Sequence, residues 1–110
     1  MKNIAILISS SPFSTLNNYE ALRLAISLYD HQVCIIWRDD GVYFPIKSTD
    51  KTKTQQYIRL TKDLDISLYV DGDDAKRRGI KEDDFIPEVK VLERDKCLEM
   101  LSGSHHVISF

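Results

Sequence analysis

The sequence contains few of the residues that mark a specialised chemistry. Its 110 residues include two cysteines, four glycines, three prolines and one tryptophan. Two cysteines, Cys34 and Cys97, do not make a disulfide framework, and by themselves they do not supply the four ligands of a structural zinc site. Neither sign of charge dominates, since 15 basic and 17 acidic residues give a net charge of −2. Because a nucleic-acid-binding domain usually carries a clustered basic surface, we expect no direct contact with nucleic acid.

Long apolar runs are also missing. The N-terminal run Ile4–Ile8 is only five residues long, whereas a helix that spans a membrane needs about 20 apolar residues. A signal peptide would need a longer apolar stretch followed by a cleavage site. We therefore expect a cytoplasmic chain without membrane contact, in which residues 1–110 form one domain.

The apolar residues that are present follow a clear alternation of strands and helices. Unbroken apolar runs predict three buried strands, at Ile4–Ile8, Val33–Trp37 and Ile66–Val70. Spacings of three and four predict helices around 19–29 and 52–64. The C-terminal half predicts four more elements. They are a short basic helix over residues 73–78, an edge-like strand over 88–92, a helix around 97–101 that is ended by Gly103, and a last strand over 107–110. Strands separated by helices indicate parallel pairing, with helices on both faces of the sheet. The predicted fold is a single-domain α/β, flavodoxin-like three-layer sandwich with a mainly parallel five-stranded sheet.

The segment Ile66–Gly79 is the most informative part of the chain. It predicts a strand that turns at Asp71-Gly72 into a short basic helix. In open α/β sheets, ligands bind at the carboxyl ends of the strands. Asp71 is the residue at this strand end, and no cysteine, serine or histidine stands beside it. We expect Asp71 to cap the basic helix.

Polar residues at three strand ends define a candidate ligand-binding cleft, formed by Ser10, Arg38, Asp40 and Asp71. A phospho-receiver site would need acidic residues to hold magnesium after the first strand, where this chain has serines. A flavin phosphate loop would suit those hydroxyls, but the loop has no glycine and contains Pro12. We therefore expect neither a metal ion nor a cofactor.

The remaining candidate sites are the two cysteines and a run of three consecutive apolar residues. Cys34 lies inside an apolar strand and Cys97 near the apolar side of the last helix, so packing is the expected role of both. No cluster of positive charge surrounds Cys97 that would lower its pKa. The run Val42, Tyr43 and Phe44 is a candidate subunit interface, because an exposed apolar patch on a small domain often marks an interaction site.

Five colinear segments give the chain a resemblance to a known family. They are Ile4–Phe13, Tyr19–Ala25, Val33–Tyr43 with its Arg-Asp-Asp-Gly turn, Ala75–Ile80 with its Arg-Arg-Gly motif, and His106–Phe110. Each segment is weakly specific, and the ordered set spans nearly the whole chain. The sequence resembles the DsrE/DsrF-like sulfur-relay family, and within it the TusC/DsrF-like branch.

The resemblance implies a role in sulfur transfer without sulfur chemistry in this chain. In DsrE/TusD-like subunits, a cysteine at the end of the third strand carries persulfide sulfur, and Asp71 occupies that position here. The implied function is a non-catalytic subunit of a cytoplasmic sulfur-relay complex that serves tRNA 2-thiolation or sulfur oxidation. The implied partners are DsrE/TusD-like and DsrH/TusB-like subunits, or further copies of the chain in a trimer or hexamer.

Two alternatives remain open. One is an independent homo-oligomeric DsrE-like protein that binds a small anion or nucleotide in the predicted cleft. The other is an enzyme, a sulfurtransferase that uses Cys97 or Cys34 as its sulfur acceptor. We expect the chain to have no enzymatic activity of its own, since the cysteine at position 71 is missing.

Overall fold

The computed structural model describes residues 1–110, in which five strands alternate with four α-helices. The strands are β1 (Asn3–Ile8), β2 (Gln32–Trp37), β3 (Ser67–Asp71), β4 (Val89–Leu92) and β5 (His106–Ser109). The helices are α1 (Asn17–Ser27), α2 (Gln55–Asp63), α3 (Gly72–Arg77) and α4 (Arg94–Ser102). All strand pairs are parallel, so the predicted fold class is confirmed. The longest helix has 11 residues, and none combines the length and apolar character that a membrane span requires.

The strand order places a crevice at one end of the sheet. The order is β4-β3-β2-β1-β5, so the chain moves outward from β1 to β4 and then returns to the far side of β1. Right-handed crossovers put α1, α2 and α3 on one face and α4 on the other. The chain therefore leaves β3 and β4 toward opposite faces, and a crevice opens between their carboxyl ends.

The two faces of the sheet are covered unequally. The face under α1 and α2 belongs to a core cluster of 17 buried residues, which includes Ile6, Leu22 and Trp37. The opposite face contributes only a cluster of three, Leu7, Ile36 and Cys97. The alternation of side chains along β1 explains this division, because Ile6 and Leu7 point to opposite faces. Most of the apolar burial that stabilises the fold therefore lies on the α1 and α2 side.

The segment after β2 corrects one expectation from the sequence. It forms a 3₁₀ helix over Asp39–Tyr43, which turns Val42 and Phe44 into the core, where both are buried. Phe44 stacks on Trp37 with ring centroids 5.5 Å apart. The prediction that Val42, Tyr43 and Phe44 together form an exposed apolar surface is therefore wrong for Val42 and Phe44. Only Tyr43 remains accessible, half-buried against Phe13.

Candidate functional site

The crevice between β3 and β4 contains an acidic residue and a basic residue from the two strand ends. Asp71 is the last residue of β3, and Arg94 is the first residue of α4, two residues after β4 ends at Leu92. The Arg94 Nε donates to Asp71 Oδ2 at 3.3 Å. The hydrogen bond and the nearby charge raise the pKa of Arg94 above its usual value. This pair of charged side chains therefore lies in the crevice between the carboxyl ends of β3 and β4.

Asp71 acts as the N-cap of α3, which confirms the expectation from the sequence. Its Oδ1 accepts hydrogen bonds from the backbone N–H groups of Asp73 and Asp74, at 2.9 and 3.1 Å. The next residue is Gly72, where a Cβ would lie 3.0 Å from the Leu92 carbonyl oxygen of β4. The close approach of these two backbones holds the cap against β4. Both oxygens of the Asp71 carboxylate are thus occupied, one by the helix and one by Arg94.

Asp74 is a second buried carboxylate. It joins its own helix α3 to the segment after β2 and to the start of α4. Its side chain is only 1% exposed. Its Oδ2 accepts from the backbone N–H of Asp39 at 2.7 Å, and its Oδ1 accepts from Arg94 Nη2 at 2.7 Å. Arg77 also pairs with it, and the Arg78 guanidinium lies 3.9 Å away. Because a buried charge is costly unless it is paired, this set of donors is what allows Asp74 to stay buried.

The backbone of Asp39 is adapted to this contact. Asp39 has a φ of 49°, in the left-handed region, where aspartate is among the tolerated residues. This conformation directs the Asp39 N–H to Asp74 and starts the 3₁₀ helix after β2. The ends of β2 and β3 are therefore fixed to each other through Asp74.

A cleft of about 330 Å³ opens beside these groups. Three arginines and three aspartates line it, together with apolar residues from β1, β2 and α4: Arg38, Arg77, Arg94, Asp39, Asp71, Asp74, Leu7, Ile36, Cys97, Leu98 and Leu101. Because the formal charges of the arginines and aspartates cancel, the cleft has no excess charge to attract an anion or a cation.

Cys97 lies at this cleft but is protected from it. Its side chain packs against Leu7 and Ile36, and the residue is 3% exposed. Burial, assisted by the negative charge of Asp71, raises the pKa of the Cys97 thiol to about 11. Arg94 acts in the opposite direction, but its effect is smaller. At neutral pH the thiol is therefore protonated and a poor nucleophile.

Cys34 lies in β2 on the same face of the sheet, and it is half-buried. Desolvation by burial raises the pKa of its thiol as well. Like Cys97, it has the surroundings of a packing residue and lacks those of an activated thiolate.

The structure brings together only part of the predicted cleft. Arg38 and Asp71 line the cleft, as expected from their strand ends. Ser10 does not line it, since its hydroxyl accepts from the Asn17 side chain at the start of α1. Asp40 is also outside, where it accepts from Arg78 at 3.2 Å. The four residues therefore do not form one shared cleft.

Two important residues were missed by reasoning from the sequence. Asp74 was not among the predicted site residues, although its carboxylate contacts Asp39, Arg77 and Arg94 in the crevice. Arg94 lies in the charged run Glu93-Arg94-Asp95, which is typical of a solvated helix start. The available signal was topological, because the residues that follow β4 must lie beside the end of β3 if those strands are neighbours.

Comparisons with known proteins agree with this fold. The sequence profile of the DsrE/DsrF-like family matches residues 2–110. The chain is 26% identical over 133 residues to the intracellular sulfur oxidation protein DsrF of Allochromatium vinosum, covering 100% of this chain and 97% of that protein. It is 28% identical over 110 residues to the uncharacterized protein MJ0989 of Methanocaldococcus jannaschii, covering 96% of each.

Solved structures show the same architecture at low sequence identity. The crystal structure of the ychN protein from E. coli superposes with a TM-score of 0.86 at 18% identity, covering 100% of both chains. The protein of unknown function MTH1491 from Methanobacterium thermoautotrophicum gives a TM-score of 0.75 at 11% identity, again over 100% of both chains. These likenesses establish the fold, and the profile match over residues 2–110 establishes the kinship. The chain belongs to the DsrE/DsrF-like family.

Proposed function

We propose that this chain is a non-catalytic subunit of a cytoplasmic sulfur-relay complex of the TusC/DsrF-like kind. Such a complex would pass sulfur toward tRNA 2-thiolation or take part in sulfur oxidation, and its other members would be DsrE/TusD-like and DsrH/TusB-like subunits. The full-length similarity to a sulfur oxidation protein, DsrF, supports the sulfur pathway. The non-catalytic role rests on one observation: position 71 holds an aspartate whose two carboxylate oxygens are both hydrogen-bonded within the domain.

Asp71 stands where a related sulfur-carrying subunit would hold its cysteine, and it is bound into the scaffold. A sulfur acceptor needs a thiolate that can attack a sulfane sulfur and hold it as a persulfide. A carboxylate cannot form that bond. Here one oxygen caps α3 and the other accepts from Arg94. The acid therefore stabilises the strand–turn–helix segment without providing a nucleophile.

The two cysteines elsewhere in the chain support the same conclusion. Both thiols have raised pKa values because they are buried, with that of Cys97 at about 11. Neither lies at the helix N-terminus of α3, where backbone N–H groups would stabilise a thiolate. In this proposal the chain helps to assemble the complex, and it forms part of the surroundings of the persulfide cysteine in the DsrE-like subunit.

The test is to co-produce the chain with DsrE-like and DsrH-like subunits from the same genome. Native mass spectrometry should find one complex that contains all three chains. A companion complex should carry the double variant Cys34→Ala and Cys97→Ala of this chain, and it should relay labelled sulfur at the same rate. Removal of the persulfide cysteine from the DsrE-like subunit is the positive control, and it should abolish the relay.

Two results would reject the proposal. If the chain stays apart from both subunits, it is not a member of such a complex. If the double alanine variant assembles normally but no longer relays sulfur, the sulfurtransferase alternative with Cys97 or Cys34 is correct. Mass spectrometry of the labelled chain would then identify the cysteine that carries the sulfur.

The second candidate function is an independent homo-oligomer that binds a small anion or nucleotide. The observation in its favour is the cleft of about 330 Å³ with Arg38 and Arg77 in its wall. Against it, Asp39, Asp71 and Asp74 neutralise those charges. A thermal-shift screen of the isolated chain with anionic metabolites separates the two, because stabilisation by a nucleotide would favour this candidate.

A further inference from the structure

Helix α4 is the least buried of the four α-helices. Of its nine residues, only Cys97 is buried, and it packs on just two buried residues of the sheet, Leu7 and Ile36. Cavities lie on both sides of the helix. One is the cleft of about 330 Å³ near Arg94, and the other has about 310 Å³ between Met100 and the β2–β3 surface around Cys34 and Tyr69. Elements with little buried apolar contact are the ones that open locally at low cost.

Arg94 attaches the N-terminal end of this helix to the rest of the domain. Its guanidinium contacts Asp71 Oδ2 at 3.3 Å and Asp74 Oδ1 at 2.7 Å. Both carboxylates belong to the β3–α3 segment, which is buried on the well-packed side of the crevice. A single side chain therefore joins α4 to that segment across the crevice between β3 and β4.

The contact can open without leaving a buried charge unpaired. When Arg94 leaves, Asp71 keeps the two backbone N–H donors of α3. Asp74 keeps the Asp39 N–H and Arg77. The Arg94 side chain itself is 41% exposed, so water can solvate it after release. The large penalty of breaking a buried ion pair applies when a partner is left bare, and here none is.

Cys97 lies three residues after Arg94, one helical turn along α4. In the closed arrangement its thiol packs on Leu7 and Ile36, and the residue is 3% exposed. We propose that Arg94 holds α4 closed over the Cys97 thiol, and that release of Arg94 from Asp71 and Asp74 lets α4 open and exposes that thiol. This inference is independent of the proposed function.

Electrostatics alone predicts the opposite effect of removing Arg94. The positive charge of Arg94 lowers the pKa of Cys97, so its loss in a closed protein would leave less thiolate and slow the reaction of the thiol. An opening helix predicts faster reaction. The sign of the change in the Cys97 reaction rate therefore shows whether Arg94 holds α4 in place or acts on the thiol only through its charge.

The experiment compares the full-length chain with its Arg94→Gln variant under native conditions. Both are treated with a maleimide reagent, digested, and analysed by mass spectrometry so that modification of Cys97 is followed separately from that of Cys34. We expect the rate at Cys97 to rise on the order of tenfold in the variant, as expected for loss of charge-assisted hydrogen bonds that are partly exposed. Backbone hydrogen exchange should become faster in α4 and stay unchanged in β1 and α1.

Two controls separate local opening from other causes. Lys96→Gln removes another positive charge from α4, which pairs only with Glu99 on the same helix, and should leave the rate unchanged. Ile58→Val weakens the opposite layer and lowers overall stability, yet should also leave the native-state rate at Cys97 unchanged. Arg94→Lys, which can reach one carboxylate but cannot bridge both, should give an intermediate rate.

The proposal is overturned if Arg94→Gln reacts at the wild-type rate or more slowly. It is also overturned if Ile58→Val accelerates the reaction as much as Arg94→Gln, because global unfolding would then explain the exposure. If Arg94→Gln does not fold, the comparison rests on Arg94→Lys, for which an unchanged rate rejects the proposal.

Discussion

Replacement of Asp71 by alanine tests whether this residue is a structural cap. The change removes the acceptor of two backbone N–H groups at 2.9 and 3.1 Å and one of the two carboxylates held by Arg94. Loss of an N-cap costs about 0.5–2 kcal/mol, and leaving a buried donor unsatisfied costs about 1–3 kcal/mol. These figures overlap, so we expect a total loss of about 2–3 kcal/mol in the free energy of unfolding. A domain of this size should then unfold about 8–12 °C lower.

The assay is denaturant unfolding, followed by circular dichroism, of Asp71→Ala and two companions. Asp71→Ser keeps an oxygen that can cap α3 and should recover about half of the loss. Asp73→Ala removes an exposed acid from the same turn that caps nothing, and should cost about 0.5 kcal/mol or less. The reasoning is refuted if Asp73→Ala is as damaging as Asp71→Ala, or if Asp71→Ala is neutral.

Three further predictions follow from contacts elsewhere in the fold. A Cβ at Gly41 would overlap the backbone carbonyl of Ile8, so Gly41→Ala should cost about 2–3 kcal/mol in a denaturant titration. Asn18→Ala leaves the buried Trp37 indole N–H, which now donates at 2.7 Å, without a partner, and should cost about 1–3 kcal/mol with a change in tryptophan fluorescence. Because folding raises the pKa of Cys97 from 9.0 to about 11, the thiol contributes stability below pH 9 that is lost as the pH rises through about 11. Compared with Cys97→Ala, the wild type should therefore lose up to about 3 kcal/mol of unfolding free energy over that range.

The strands and their order along the chain could be predicted because their physical signal is local. Runs such as Ile4–Ile8 and Val33–Trp37 are apolar at every position, which is typical of parallel strands covered on both faces. The prediction that Asp71 caps the following helix also succeeded, since the strand, the Asp-Gly turn and the basic helix are adjacent in sequence. Each of these inferences depends on residues only a few positions apart.

The arrangement of the site depends on contacts between distant residues, and the sequence did not reveal it. Arg94 and Asp71 are 23 residues apart along the chain, and they meet only because β4 lies beside β3 in the sheet. Val42 and Phe44 are buried because a 3₁₀ helix begins at Asp39, whose left-handed backbone is fixed by a hydrogen bond from its N–H to Asp74. A short apolar run beside a turn signal fits an exposed patch and a buried turn equally well. Tertiary contacts decide between them.

Sulfur loading of the isolated chain tests the central claim most directly. Wild type and the Asp71→Cys variant are each incubated with a persulfide donor and examined by intact mass spectrometry with peptide mapping. The wild type should gain no sulfur, because Asp71 cannot accept it and burial raises the pKa of both native thiols. The variant should gain the mass of one sulfur atom at position 71, where two backbone N–H groups and Arg94 would stabilise a thiolate. Sulfur on Cys97 or Cys34 of the wild type, or an Asp71→Cys variant that stays unloaded, would contradict the account.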